Sequence, residues 1–501
     1  MTYSRWATTE ELKEKLVAVN KNSKIEKSGV PMMYDDNNLY IKGDEAHTMV
    51  IGSTGSGKTQ STLLPQLRLA IRAEESFIVH DVKGEIYDTL GGELKKQNYN
   101  TIVINLDNPK LGNCFNPLTL PYKLYKSGDK DKAIEELENI SYYFCTSENK
   151  NPNADPFWEN SAMSVFIGLS LYLFENSKED EINLNSIFNL TSNFDKVSDY
   201  VNKLDKSSPI YINLSSITLA PPETKASIIS VFKQQVKLFI TRESLSLLLS
   251  KSDFNIENIQ KEKTAIFIVT ANKATTGRLV PLIINECYDA AVLNSNKDRR
   301  LNILIDEFEK IIAIKDFSNI LTFSRSNNIK FTIFVKSLLE LNNTYGSYEA
   351  EILKMSFGNI IYLLANDYET LEEISKLCGK QNQTEQLITV EELKLLDNFE
   401  AIILIPRINP IRTKLLPDYK IDWEFDNTKV EIPAMKVKEV KTYMIDNKNT
   451  QAEELVEKIK ERADQLQAEK YLKEIEDEVD QELIKIGAMV IENGEKSFTS
   501  R

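Results

Sequence analysis

Gly52-Ser53-Thr54-Gly55-Ser56-Gly57-Lys58-Thr59 decides the reading of this chain. The stretch has the form G-x-x-x-x-G-K-[ST], with an apolar, β-branched run before it at Thr48–Ile51 and a helical pattern after it, the context that form requires. Its glycines let the backbone pass close to an anion, so that consecutive N–H groups make a nest at the start of a helix. Gly52, Ser53, Thr54, Gly55, Ser56 and Gly57 are therefore expected to cradle phosphates. Lys58 is expected to reach the β- and γ-phosphates of ATP, and Thr59 to place its hydroxyl on Mg²⁺. Pro65, a few residues further on, predicts a kink or tightened first turns in the following helix.

Working outward, further apolar runs of strand length recur at Phe77–His80, Thr101–Asn105, Ala265–Val269, Asn302–Ile305, Phe331–Val335, Asn359–Leu363 and Ala401–Ile405. Most are apolar throughout rather than alternating, as in strands covered on both faces. Helical patterns between several of them predict an α/β fold with a doubly wound, mostly parallel sheet. One run, Leu304-Ile305-Asp306-Glu307, ends in two carboxylates, the form of a Walker B strand. Asp306 is expected in the magnesium shell, and Glu307 to orient or deprotonate an attacking water. Alone this signal is weak, because strands commonly end in acidic turns; beside the glycine-rich loop it favours hydrolysis. Asp81-Val82-Lys83-Gly84-Glu85 closes the second strand and can face the same sheet edge, or be a plain charged turn. Arg325 lies 19 residues after Asp306. It is either solvated surface or a finger reaching a neighbouring subunit's phosphates.

Between Leu118 and about Ile259 the strand rhythm stops. Amphipathic stretches such as Lys130–Phe144, Phe157–Phe174 and Thr224–Phe239 predict an inserted all-helical domain, since about 140 residues far exceeds one crossover. The expected division is therefore 1–118 and 260–430 for the two parts of the nucleotide-binding domain, 119–259 for the insertion, and 431–501 for an acidic helical extension. In the last, Leu472, Ile475, Val479, Leu483 and Ile486 fall at helical spacing across 452–489.

Composition removes several classes of function. The 501 residues carry 61 basic and 75 acidic side chains, net −14, which excludes a coat of clustered Lys and Arg over the whole surface while leaving room for a local basic groove. Only two histidines (His47, His80) are present, too few for a His-rich zinc site, and the four cysteines lack metal-ligand spacing, as suits a reducing compartment. The longest apolar run, Ala162–Phe174, is shorter than the ~20 residues a bilayer span needs, so it predicts a buried helix. The opening residues are too polar for a signal peptide.

Taken together, these residues resemble the type IV secretion coupling proteins, the TraG/TraD-like ATPases of conjugation. The resemblance runs from Trp6 to about Asp418. It is carried by Ser4-Arg5-Trp6-Ala7-Thr8, His47 before the glycine-rich loop and Pro65 after it, Asp81-Val82-Lys83-Gly84-Glu85 and Phe115-Asn116-Pro117-Leu118. Asp155-Pro156-Phe157-Trp158, Ile305-Asp306-Glu307-Phe308, Ser324-Arg325-Ser326 and Tyr345-Gly346 continue it. It implies a RecA-like domain interrupted by an all-α domain, assembled as a homo-hexamer when active and as a monomer in isolation. ATP would lie between subunits, with Lys58, Thr59, Asp306 and Glu307 from one and Arg325 from the next. It also implies relaxase-bound single-stranded DNA or effector proteins as cargo, and secretion-channel ATPases and a membrane subunit as partners. Two departures stand out. Family members usually begin with transmembrane helices, so the expectation is a cytoplasmic chain held at the inner membrane face by a partner, or one shortened from an anchored form. Lys336 stands where the family commonly has a Gln that is a candidate γ-phosphate sensor, so it is either a charged substitute for that Gln or a mark of altered nucleotide coupling. The alternatives are a related ring-forming translocase or channel-assembly ATPase, or a nucleotide-gated docking adaptor with little hydrolysis.

Overall fold

A computed structural model describes residues 3–35, 38–146, 155–270, 274–294 and 297–445, together with 481 and 484. Its strands are β1 (Val17–Val19), β2 (Val30–Tyr34), β3 (Leu39–Lys42), β4 (Thr48–Gly52), β5 (Ser76–Asp81), β6 (Asn100–Asn105), β7 (Thr264–Val269), β8 (Leu301–Ile305), β9 (Ile329–Val335), β10 (Asn359–Leu364), β11 (Glu400–Leu404) and β12 (Ile411–Lys414). All eight apolar runs read from the sequence are strands. Nine strands form one sheet in the order β12-β11-β10-β4-β9-β8-β5-β7-β6. From β10 to β6 every pairing is parallel, whereas β11 and β12 close the other edge as antiparallel neighbours. β4, β5, β7, β8 and β9 are buried along their whole length, which is why their sequences do not alternate.

A second sheet, β1-β3-β2, is antiparallel and precedes the first. The sequence reading missed it: its strands are three to five residues long, and Val30-Pro31-Met32-Met33-Tyr34 lacks alternation. A buried polar network fastens it to the large sheet. Arg300 donates to Ser28 O and Gly43 O at 3.1 Å each and pairs with Glu45, while Ser28 N donates to Glu75 Oε1.

Among the described residues between β6 and β7 every regular element is helical, from Thr119–Ser127 through Lys130–Cys145, Phe157–Asn176 and Pro222–Ile240 to Glu243–Leu248. Phe144 stacks on Phe166 (5.6 Å between centroids) and meets Phe239 edge-on (4.7 Å), tying three of these helices together. The helix Phe157–Asn176 holds the longest apolar run in its buried part, and among the described residues no helix is long and apolar enough to cross a membrane. The outgoing and returning chains are zipped together. Asn116 Nδ2 donates to Ile182 O (2.7 Å) and Ser250 O (3.2 Å), and Asp253 Oδ1 accepts from Asn113 Nδ2 and Cys114 N.

Residues 431–445 are not helical, contrary to the reading of the segment from 431 onward. They run as a strap whose polar backbone is satisfied by other parts of the fold. Gly112 N donates to Pro433 O, Met435 N to Lys110 O, Asn183 Nδ2 to Lys441 O and Tyr443 N to Ser186 Oγ. Upstream, the strap crosses the helix Glu85–Lys96 at Gly92, where a Cβ would stand 2.6 Å from Thr428 O. The amphipathic pattern of 452–489 lies outside the described residues, apart from helical Gln481 and Ile484.

Candidate nucleotide-binding site

β4 ends in the glycine-rich loop, and β8, separated from it by β9 alone, ends in Asp306–Glu307 at the same sheet edge. Both follow the carboxyl ends of parallel strands, where open α/β sheets form their crevice. The resulting cavity, about 360 Å³, is lined by Ser53, Thr54, Gly55, Gly57, Lys58, Thr59, Gln60, Asp306, Glu307 and Phe399, with Asp81, Val82, Lys83, Glu85 and Ile86 on one flank. Gly55 and Gly57 take φ of +84° and +92°, a region glycine enters without strain. Gly52 is needed for space, since a Cβ there would stand 2.3 Å from Ser56 Oγ.

After the loop the chain makes a wide i→i+5 turn, Thr59–Leu63, before the α-helix Leu64–Arg72. Pro65 occupies the first turn of that α-helix, where its missing N–H costs nothing. The expected kink or tightening is thus replaced by a widened turn just upstream of it.

Lys58 folds back onto its own loop, donating to Gly52 O and, at 3.5 Å, to Ser53 O. Burial pulls its ammonium below the ordinary lysine value, against the opposing pull of Asp306, Glu309 and Glu307. Burial likewise pushes the Asp306 carboxyl up to about 6, although Lys58 draws it down. Glu307 sits at φ +46°, a left-handed conformation uncommon for a side-chain-bearing residue, and pairs with Lys310. Its N–H donates to Asp306 Oδ1 at 3.0 Å, which orients the aspartate.

Lys336 follows β9 at the same edge and pairs with the buried Glu309 at 3.2 Å. Burial alone would lower its ammonium; Glu309, Glu340 and Glu307 outweigh it and raise it. The sequence reading missed Glu309 and Glu340. Asp306-Glu307-Phe308-Glu309 signals the first, as a third acid one short turn on, while Glu340 is brought in only by the fold.

Arg325 is not part of this cavity. It precedes β9, at the amino end of the parallel strands, and is exposed. β9 has seven residues, which at ~3.3 Å each places Arg325 about 23 Å of strand away from the loop edge. Asp81 lines the cavity but is turned inward. Its carboxylate accepts from the N–H groups of Gly84 (2.9 Å), Ile86 (3.0 Å) and Tyr87 (3.1 Å), which caps the helix Glu85–Lys96. Both histidines are buried, and burial lowers each to about 4, so they are neutral. His80 Nδ1–H donates to Asp306 O, and His47 links Leu321 O to Phe331 N. Tyr345, whose hydroxyl accepts from Ile314 N and whose ring stacks on Phe308, braces the chain after Glu307.

A mostly parallel sheet with a phosphate loop and an acid pair on strands flanking a third defines the class: a RecA-like P-loop fold with an all-helical stretch between two of its strands. Residues 5–382 match the family described as type IV secretory system conjugative DNA transfer, and the chain belongs to that family. No curated protein matches it closely enough to count as a relative. Among solved structures it is similar to the bacterial conjugative coupling protein TrwBdeltaN70 in its unbound monoclinic form, with 15% identity, a TM-score of 0.64, and 87% of this chain and 96% of that one covered. The plasmid coupling protein TrwB in complex with ADP and Mg²⁺ gives 15% identity and a TM-score of 0.63, covering 87% of this chain and 97% of that one. TrwB with the ATP analogue ADPNP gives 15% and 0.62, covering 84% and 96%. At this identity the likeness is one of fold.

Proposed function

We propose that this chain is an ATP-hydrolysing coupling protein that brings relaxase-bound single-stranded DNA, or effector proteins, to a type IV secretion channel. The observation that carries the reading is the convergence of Lys58, Thr59, Asp306 and Glu307 on one cavity in a member of the conjugative DNA transfer family. The donor set fits Mg²⁺·ATP. Two left-handed glycines open a nest of N–H groups, Lys58 holds two carbonyls that a phosphate can replace, and Ser56 Oγ is buried without a hydrogen-bond partner among the described residues. The TrwB complexes with ADP and Mg²⁺ and with ADPNP support the same ligands.

In this reading Lys58 leaves Gly52 O to neutralise the β- and γ-phosphates. Thr59 and Asp306 hold the magnesium ion, which when bound draws charge from the phosphate oxygens. Glu307 aligns the attacking water and takes up its proton once Lys310 releases the carboxylate. Lys336 moves between Glu309 and the γ-phosphate as its sensor. Arg325 lies too far from its own loop to serve it, so it acts on the next subunit's ATP in a homo-hexamer, contributing on the order of 10³-fold or more. Residues 1–118 and 260–430 form the nucleotide-binding domain, and 119–259 receive cargo. The chain works in the cytoplasm beside the membrane subunit and the channel ATPases.

Turnover of the full chain, measured across protein concentration with and without single-stranded DNA, tests this. The reading requires activity that rises with concentration and DNA and vanishes in Lys58→Ala. Tight ATP binding without turnover in every condition would point instead to the nucleotide-gated adaptor, or to a ring that waits for its membrane subunit.

A further inference from the structure

Phe399 is an aromatic residue where the backbone favours glycine. It takes φ +66°, a left-handed conformation that side-chain-bearing residues rarely adopt. The surrounding turn enforces it. Leu415 N donates to Phe399 O (2.8 Å), Glu400 N to Asp397 O (3.0 Å), and Glu400 is itself held by Arg412 Nε (2.7 Å). The strained turn aims the ring at the phosphate loop, so that a Cβ on Gly57 would stand 2.6 Å from Phe399 Cε1. Phe399 lines the cavity, and its other side meets the ring of Tyr419 edge-on at 6.4 Å. Tyr419 is 65% exposed and is placed by its neighbour Asp418, which accepts from Arg68 Nε and Nη2 at 2.8 and 3.0 Å. Arg68 belongs to the helix that continues from the loop, so the aromatic pair and the loop share one rigid support.

The sheet fixes which end of the cavity this is. Asp306 and Glu307 follow β8, and Phe399 precedes β11, which runs antiparallel to β10 and so begins at the loop edge. In the order β11-β10-β4-β9-β8 the loop strand lies midway, four strand spacings of ~4.8 Å separating the outer two, or roughly 19 Å. With the γ-phosphate at the acid pair, the far end, next to Gly57 and Gln60, is left for the nucleoside.

We propose that Phe399, backed by Tyr419, is the face on which the base of the nucleotide stacks. This rests on the nucleotide reading above and adds a specificity to it. A π-face accepts any base, so adenine and guanine nucleotides should bind within about tenfold of one another.

The test is equilibrium binding of ATP, GTP and inorganic tripolyphosphate to the full chain and its variants. Phe399→Ala should weaken ATP and GTP alike by about tenfold or more, the loss expected for one aromatic stack, and leave tripolyphosphate unchanged. Phe399→Trp should retain nucleotide affinity. Tyr419→Ala, at an exposed position, gives the same pattern more weakly and keeps the test valid if Phe399→Ala does not fold. Equal loss of tripolyphosphate and ATP would mean that Phe399 acts only by supporting Gly57, and would overturn the proposal, as would no loss at all. Wild type that binds none of the three would overturn the nucleotide reading itself.

Discussion

Glu286 offers a sharp test of the packing between the inserted helices and the sheet domain. It lies on the helix Leu279–Leu293, fully buried, facing Glu136 of the helix Lys130–Cys145 and its own neighbour Asp289. Glu286 Oε1 and Glu136 Oε2 have no hydrogen-bond partner among the described residues. The nearby cations are engaged elsewhere, Lys132 with Glu135 (2.7 Å) and Lys315 with Asn139 (2.9 Å). Burial, reinforced by the neighbouring acids Glu136 and Asp289, raises the Glu286 carboxyl well above the ordinary range, and burial raises Glu136 and Asp289 as well, so the folded cluster holds on to protons that the unfolded chain gives up. The folded state then binds more protons than the unfolded one above the usual carboxylate pKa, and stability must fall as pH rises. Each pH unit between the unfolded carboxylate pKa of ~4.3 and the raised folded one costs about 1.4 kcal/mol for one such proton. Glu286→Gln supplies a neutral isostere and removes that cost. Urea unfolding monitored at pH 5.5 and 8.5 should show wild type losing stability over this interval. The variant should be more stable at pH 8.5, with a shallower dependence on pH. Parallel pH dependence in the two proteins would refute the assignment of a proton to Glu286.

Other perturbations follow from the same geometry. Lys58→Ala and Arg325→Ala should each abolish ATP turnover, but mixing the two proteins should restore part of it, because a mixed interface can pair an intact loop with an intact arginine; no recovery would place both residues in the same subunit's site. Asp418→Ala strands the buried Arg68 guanidinium and should cost about 3–5 kcal/mol in denaturant unfolding, whereas Asp418→Asn, which keeps one acceptor, should cost less. Gly92→Val would drive a side chain into Thr428 O and lift the strap, so limited proteolysis should cut within 426–443 faster than in wild type. Unchanged cleavage would show that the strap is held from its other contacts alone.

Local sequence determined a good deal. Eight strands of the large sheet were legible, most plainly the five buried along their whole length, because a strand covered on both faces must be apolar throughout, and the phosphate loop because its glycines, lysine and threonine are contiguous. The small sheet β1-β3-β2 was not legible, since its stability comes from long-range partners such as Glu75 and Arg300 rather than from its own pattern. The strap at 431–445 was misread for a related reason: its hydrogen bonds go to residues more than 200 positions away, with no periodicity to announce them. At the site, the sequence supplied Lys58, Thr59, Asp306 and Glu307 but not Glu340 or Phe399, which carry no local signature. Which side of the sheet Arg325 occupies could be settled only once β9 was known to run parallel to β4. Contiguous motifs are written into the chain because neighbouring atoms make them; a cavity wall assembled from residues 57, 81, 307 and 399 exists only after strand order and direction have been chosen, and that choice belongs to the tertiary structure.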